Sequence, residues 1–170
     1  NYYSKYEING ISISEQFAPL LSVDVTMINS FIVKLELKKT RNLNMSFSNN
    51  QLTDMRNNEY IIGTGYRFKD VEINIKSGGR TRNFKSDLNV RLDFSLRDNL
   101  TVTRKLEEGF NQPTAGTQTY TIKASADYVL SNRFNLRLFY DQVINRPTMG
   151  VSFKSSNINF GVSLRFTLAT

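Results

Sequence analysis

The sequence predicts an all-β protein, an antiparallel transmembrane β-barrel of the outer-membrane type. Apolar and polar residues alternate with a period of two over most of the chain, and no segment has helical periodicity. The alternation is clearest in residues 85–97, where single polar residues separate Leu88, Val90, Leu92, Phe94 and Leu96. About ten alternating residues is the length that a tilted strand needs to cross a bilayer, whereas soluble strands average about five or six.

In the first half of the chain, polar and glycine-containing breaks separate six alternating runs. Gly10 predicts a bulge in the first run, and Pro19 precedes the second, a position that a strand tolerates. Turns are predicted at Asn29-Ser30, at residues 40–42 and at Lys69-Asp70, and a polar connection over residues 49–58. The runs themselves are residues 2–14, 21–27, 31–38, 43–48, 60–68 and 71–75.

The second half adds six more runs, for a total of about twelve hairpin-connected strands. They are residues 85–97, 100–106, 120–130, 134–141, 149–153 and 158–168. Between them we expect loops over residues 77–84 and 107–116, a tight turn at Asp98-Asn99, and turns or breaks at Ser131-Asn132 and at residues 145–147 and 155–157. The composition does not shift along the chain, so residues 1–170 are predicted to be a single region without an internal domain boundary.

Composition excludes several kinds of chemistry. The chain has no cysteine and no histidine, so thiolate nucleophiles, His-based triads and the commonest metal ligands are absent from it. We therefore expect no enzyme activity and no cofactor. The net charge is +7, but the basic residues are spread over the strands, which does not favour nucleic-acid binding. The chain opens without an initiator Met or a signal sequence, and we expect it to be a piece of a longer protein.

Alternation alone does not say whether the apolar face meets lipid or a protein core. Tyr120 and Tyr128 bracket a run of small and aliphatic residues, and Tyr60 and Phe68 bracket another. Eight residues span ~26 Å along a strand, or ~20 Å after a 40° tilt, close to the ~25 Å apolar band of an outer-membrane barrel. Alanine and glycine within these strands would also fill a soluble core poorly. These features favour a membrane barrel over a soluble β-sandwich.

The barrel interpretation assigns each face. Candidate lipid-facing residues are Leu88, Val90, Leu92, Phe94, Leu96, Tyr120, Tyr128, Leu164 and Phe166. Candidate lumen-facing residues are Lys34, Glu36, Arg67, Arg91, Asp93, Arg97, Lys123, Asp127, Arg137 and Arg165. We expect most of these charges to form cross-strand pairs that stabilise the wall, rather than a specific binding site.

An ordered set of segments resembles the C-terminal part of the SprA (Sov) family, the outer-membrane translocons of the type 9 secretion system. The matching segments are EQFAPL (15–20), KKTRNL (38–43), SFSNNQLT (46–53), GTGYRFK (63–69), KSDLNVRLDFSLRDN (85–99), FNLRLFYD (134–141) and NFGVSLRFTL (159–168). None of them is a catalytic signature, and none carries a known functional residue of the family.

The resemblance implies that these strands form an arc of a much larger single-chain barrel in the bacterial outer membrane. Such barrels export folded client proteins, and in some species the system also supports gliding motility. By the same resemblance, the expected partners are the rest of the barrel, outer-membrane lipid, a shuttle barrel protein, a periplasmic plug protein, a peptidyl-prolyl isomerase and the secreted clients. Two alternatives remain open: a self-contained barrel acting as a porin or adhesin, and a soluble β-sandwich that binds other molecules.

Overall fold

The computed structural model describes residues 8–77, 80–131 and 134–166. These residues form one antiparallel sheet of seven strands in the order β1 to β7, and each strand pairs with its neighbours in sequence. The strands are β1 Gly10–Thr26, β2 Phe31–Ser46, β3 Gln51–Ser77, β4 Arg80–Lys105, β5 Phe110–Ser131, β6 Phe134–Pro147 and β7 Ser155–Phe166. The all-β antiparallel prediction is confirmed.

No helix that could cross a membrane occurs in the described ranges. Within the same ranges, the first and last strands of the sheet do not pair with each other, so the sheet is open.

The strands are fewer and longer than the twelve expected. Two predicted turns, at residues 40–42 and at Asp98-Asn99, lie inside continuous strands, where Arg41 pairs with Arg56 and Asp98 with Asn58. A predicted turn at residues 155–157 is the start of β7, and residues 149–153 are not a strand. At residues 40–42 and at Asp98-Asn99, polar residues interrupt the alternation because the strands continue past the apolar part of the sheet, not because the chain reverses.

A bulge replaces the turn predicted at Lys69-Asp70. These two residues of β3 stand opposite the single residue Asp87 of β4, and the backbone amide of Asp70 donates to the Asp87 carboxylate at 3.3 Å. Asp70 has a φ of 55°, as expected for a residue that absorbs an extra position. The bulge changes the parity of the strand, so the apolar residues Phe68 and Val71 lie on the same face.

The other predicted breaks agree with the structure only in part. The chain turns at Asn29-Ser30, where the Ser30 amide donates to the Met27 carbonyl at 3.1 Å. The break predicted at residues 145–147 is wrong, because these residues pair with β5 and β6 continues to Pro147. Three expected connections are shorter than predicted, because β3 begins at Gln51, β4 at Arg80 and β5 at Phe110. The centre of the loop predicted over residues 77–84, the Ser131-Asn132 turn beyond residue 131, and the start of the first predicted run lie outside the described residues.

Candidate functional site

The strand register places all ten predicted lumen-facing residues on one face of the sheet, called here the polar face. Lys34, Asp93 and Lys123 lie in one row across the sheet, because Gly63 of β3 pairs with both Lys34 and Asp93. The neighbouring rows of the polar face hold Glu36, Arg67, Arg91, Arg97, Asp127, Arg137 and Arg165. That this face lines a pore stays a prediction.

The opposite face, called here the apolar face, carries all nine predicted lipid-facing residues. Tyr60, Leu96 and Tyr120 form a row at one end of it. At the other end, the phenolic hydroxyl of Tyr128 reaches across β4 and donates to the carbonyl oxygen of Val71 at 2.8 Å. Contact of this face with lipid also stays a prediction.

The apolar face is about as open as the polar face, and no second layer of the described residues covers it. In β2, Leu35 is 46 % exposed, whereas the side chain of its neighbour Glu36 is 9 % exposed. Within the described residues, Tyr128 is the one buried apolar side chain, at 2 % exposure. A sandwich would need a second sheet packed on the apolar face, and these strands form a single sheet. A contiguous exposed apolar surface that extends across several strands marks contact with a membrane or another protein.

A water-accessible groove of about 590 Å³ runs along the polar face. Basic and acidic side chains from β3 to β6 line it together, with Phe139 as its large aromatic residue. The charged lining residues are Arg67, Arg91, Asp93, Lys123, Asp127, Arg137 and Asp141. The four cations and three carboxylates make the groove polar without giving it a strong single-sign field.

Ion pairs tie several polar-face charges together. Glu36 accepts from Lys34 at 2.8 Å and from Lys38 at 3.2 Å. Further along, Arg97 contacts Glu59 at 3.0 Å and Arg137 contacts Asp127 at 3.5 Å. The prediction of cross-strand pairs is confirmed for Arg97 with Glu59 and for Arg137 with Asp127, whereas both pairs of Glu36 lie within β2. Arg91 and Lys123, in contrast, make no ion pair with any residue that the structure describes.

Glycine makes room for large groups on the polar face. A Cβ at Gly63 would overlap the carboxylate of Asp93, and a Cβ at Gly161 would lie 2.9 Å from the ring of Phe139. The aromatic ring therefore lies directly over Gly161 of the neighbouring strand. Small residues in these strands seat longer side chains from adjacent strands, which keeps the groove wall continuous.

A second charged feature lies on the apolar face, beyond the Tyr60 row, and the sequence did not predict it. Asp54 is fully buried, at 0 % exposure, and is surrounded by three arginines that we call the arginine cluster: Arg41, Arg56 and Arg104. Arg41 donates two hydrogen bonds of 3.1 Å to the carboxylate, Arg56 approaches to 2.7 Å, and Arg104 lies 3.5 Å away.

The arginine cluster changes the titration of its own members. Hydrogen bonds from Arg41, and then from Arg56, hold the pKa of the Asp54 carboxyl well below its usual range, against the opposing effect of burial. The hydrogen bond to Asp54 in turn raises the pKa of Arg41. Without the aspartate, Arg41 and Arg56 would be like charges directly opposite each other on paired strands.

The sequence contains a signal for this cluster that the turn prediction obscured. If the period of two is extended through residues 40–42 and 49–58, Arg41, Asp54 and Arg56 fall at positions of apolar parity. With Arg104, which has the parity of Leu100 and Val102, four charged residues occupy such positions on neighbouring strands and require partners on their own face. The predicted breaks hid that requirement.

The remaining chemistry of the described residues is sparse. The ranges 8–77, 80–131 and 134–166 contain no group of three or more acidic residues placed to hold a metal ion. Asp93, Asp127 and Asp141 line the groove but alternate with basic side chains.

Comparison with known proteins leaves the family open. No protein-family model matches the chain, and no curated protein matches it at a significant level.

Proposed function

We propose that this chain forms part of the wall of a protein-conducting β-barrel in the bacterial outer membrane. The apolar face contacts lipid, and the polar face lines a water-filled passage. In this proposal the barrel is a type 9 secretion translocon of the SprA family, which exports folded proteins and is linked to gliding motility in some species. Its partners would be the rest of the barrel, a shuttle barrel protein, a periplasmic plug protein, a peptidyl-prolyl isomerase and the secreted clients.

One observation carries the proposal: large aliphatic side chains of the apolar face stay exposed, with no second layer of the described residues packed on them. Aliphatic side chains such as Leu35 and Leu92 are each 46 % exposed, while the Glu36 carboxylate on the polar face of β2 is covered and ion-paired. Water would penalise that apolar surface, whereas lipid tails accept it. The mixed charges of the groove keep a passage wet without coordinating a particular ion.

The open sheet supports a wide passage. Seven described strands in simple meander order leave both edges of the sheet unpaired, which suits an arc of a larger ring better than a small closed porin. The segment resemblance to the SprA family supplies the specific identity of that ring.

Adjacent residues of β4 test the orientation directly. The chain has no native cysteine, so single cysteines report their own surroundings. In a complete protein otherwise free of cysteine, we expect Leu92→Cys to react with a lipid-soluble maleimide and to resist a charged, membrane-impermeant one. Asp93→Cys, its matched control on the polar face, should show the opposite preference. Equal reactivity of both positions toward the charged reagent would contradict the membrane orientation.

A further inference from the structure

The arginine cluster lies where a membrane interface would be, if the proposed lipid contact of the apolar face is correct. Arg56 is four residues beyond Tyr60 in β3, about 13 Å along the strand and ~10 Å along the bilayer normal after a 40° tilt. Headgroup layers extend about 5–8 Å beyond the hydrocarbon, and a long arginine side chain adds several Å of reach. The guanidinium groups therefore lie at headgroup depth.

The charge balance of this part of the apolar face is positive. The arginine cluster contributes three guanidinium groups against the single carboxylate of Asp54. Around it, the same face also carries Lys39, Arg146, Glu15 and Asp98. Five cations therefore stand against three anions.

Asp54 also organises the arginines. It is fully buried and takes hydrogen bonds from Arg41 and Arg56, while the three arginine side chains stay 32 %, 43 % and 37 % exposed in chain order. The Nε of Arg104 is buried and has no hydrogen-bond partner among the described residues, so it is not one of the donors on the exposed part of the cluster. A buried carboxylate thus fixes the guanidinium groups side by side and leaves N–H donors for an external acceptor.

We propose that the arginine cluster binds the phosphate of an anionic lipid headgroup. A phosphate offers several charged oxygens, and arginine binds such groups through paired N–H donors. Lipid is the favoured source because the cluster continues the apolar face rather than the groove, so acyl chains lie beside it. The inference rests on the proposed function, since it needs the apolar face to contact lipid.

A fluorophore beside the cluster tests this inference. Leu100, which pairs with Arg56, is replaced by cysteine and labelled in a complete protein otherwise free of cysteine. The protein is placed in phosphatidylcholine vesicles that carry brominated phosphatidic acid or, separately, brominated phosphatidylcholine, and quenching gives the relative association of each lipid. We expect phosphatidic acid to quench more strongly, and Arg104→Gln to reduce that preference about fivefold, the effect of one basic residue at an anionic surface.

Three comparisons decide the outcome. Arg97→Gln removes the same charge from the polar face and should leave the preference unchanged; an equal loss there would overturn the site. Arg104→Lys keeps the charge and should retain most of the preference for phosphatidic acid. It replaces Arg104→Gln as the test variant if Arg104→Gln does not fold. Inorganic phosphate that abolished the preference at low concentration would assign the cluster to a free anion and overturn the lipid assignment. Absence of quenching by either lipid would instead refute lipid contact itself, and with it the proposed function.

Discussion

Replacing Leu92 by arginine tests how much a charge on the apolar face lowers the free energy of folding into a membrane, at the middle of the apolar run from Leu88 to Leu96. Leu92 is four residues from both Leu88 and Leu96, about 13 Å from each end of the alternating run. Its neighbours across the strands are the small residues Thr64 and Ala124, so a longer side chain does not clash. In the proposed orientation, the cost of Leu92→Arg is therefore the transfer of a charge into lipid rather than a steric conflict.

The expected magnitude follows from that geometry. Arginine at the midplane of a barrel costs about 2–4 kcal/mol, equivalent to about a 30- to 700-fold fall in the folding equilibrium constant. The measurement is reversible urea-driven folding of the complete protein into phosphatidylcholine vesicles. Ser95→Arg is the matched control: Ser95 lies on the polar face of the same strand and lines a groove with both basic and acidic side chains, so we expect a change within about 0.5 kcal/mol. Equal costs for the two variants would refute the assignment of the faces.

Two further predictions concern the buried aspartate and the open sheet. Asp54→Asn should destabilise the protein by about 1–3 kcal/mol in urea denaturation. This is less than the cost of breaking a fully buried ion pair, because the arginine side chains reach solvent. An unchanged urea midpoint would contradict this prediction. Because the folded-state pKa of Asp54 is lowered, its carboxylate should contribute fully to the free energy of unfolding above about pH 4, the pKa of an unfolded aspartate, and this contribution is lost as the pH falls further. The difference in unfolding free energy between wild type and Asp54→Asn should therefore narrow only in strong acid. Expressed alone in detergent, the chain should not give a heat-modifiable closed barrel on gels; a stable closed barrel would favour the porin or adhesin alternative.

The alternation in the sequence predicted the composition of the two faces but not the length of the strands. The residues predicted to share a face do so, because a period of two is a direct consequence of strand geometry. A two-residue turn and a bulge at Lys69-Asp70 reverse the parity of the apolar residues in the same way, so the sequence pattern fits both. Only the pairing of Phe68 with Leu88 and of Val71 with Ser86 distinguishes the two.

The arginine cluster was missed for a related physical reason. Polar residues end an apolar run both where a chain turns and where a strand leaves its apolar surroundings. To recognise a strand that continues beyond its apolar surroundings, one must know which residues stand opposite it on the neighbouring strands. Asp54, for example, is stabilised by Arg41 of β2 and Arg104 of β4, which are 13 and 50 positions away in the sequence. Such pairing depends on the register between strands, which local sequence does not specify.

The unpaired edges of the sheet carry an energetic consequence for assembly. β7 has 12 residues, and in an antiparallel strand about half of them point both backbone groups away from the paired neighbour, leaving about twelve N–H and C=O groups at the edge. In hydrocarbon each unpaired group costs several kcal/mol, so the edge as a whole would cost tens of kcal/mol. An arc of this kind is therefore unstable as a membrane intermediate. If the chain is the proposed arc of an outer-membrane barrel, neighbouring strands would have to join β1 and β7 before or during entry into lipid, and insertion and ring closure would then be a single cooperative event.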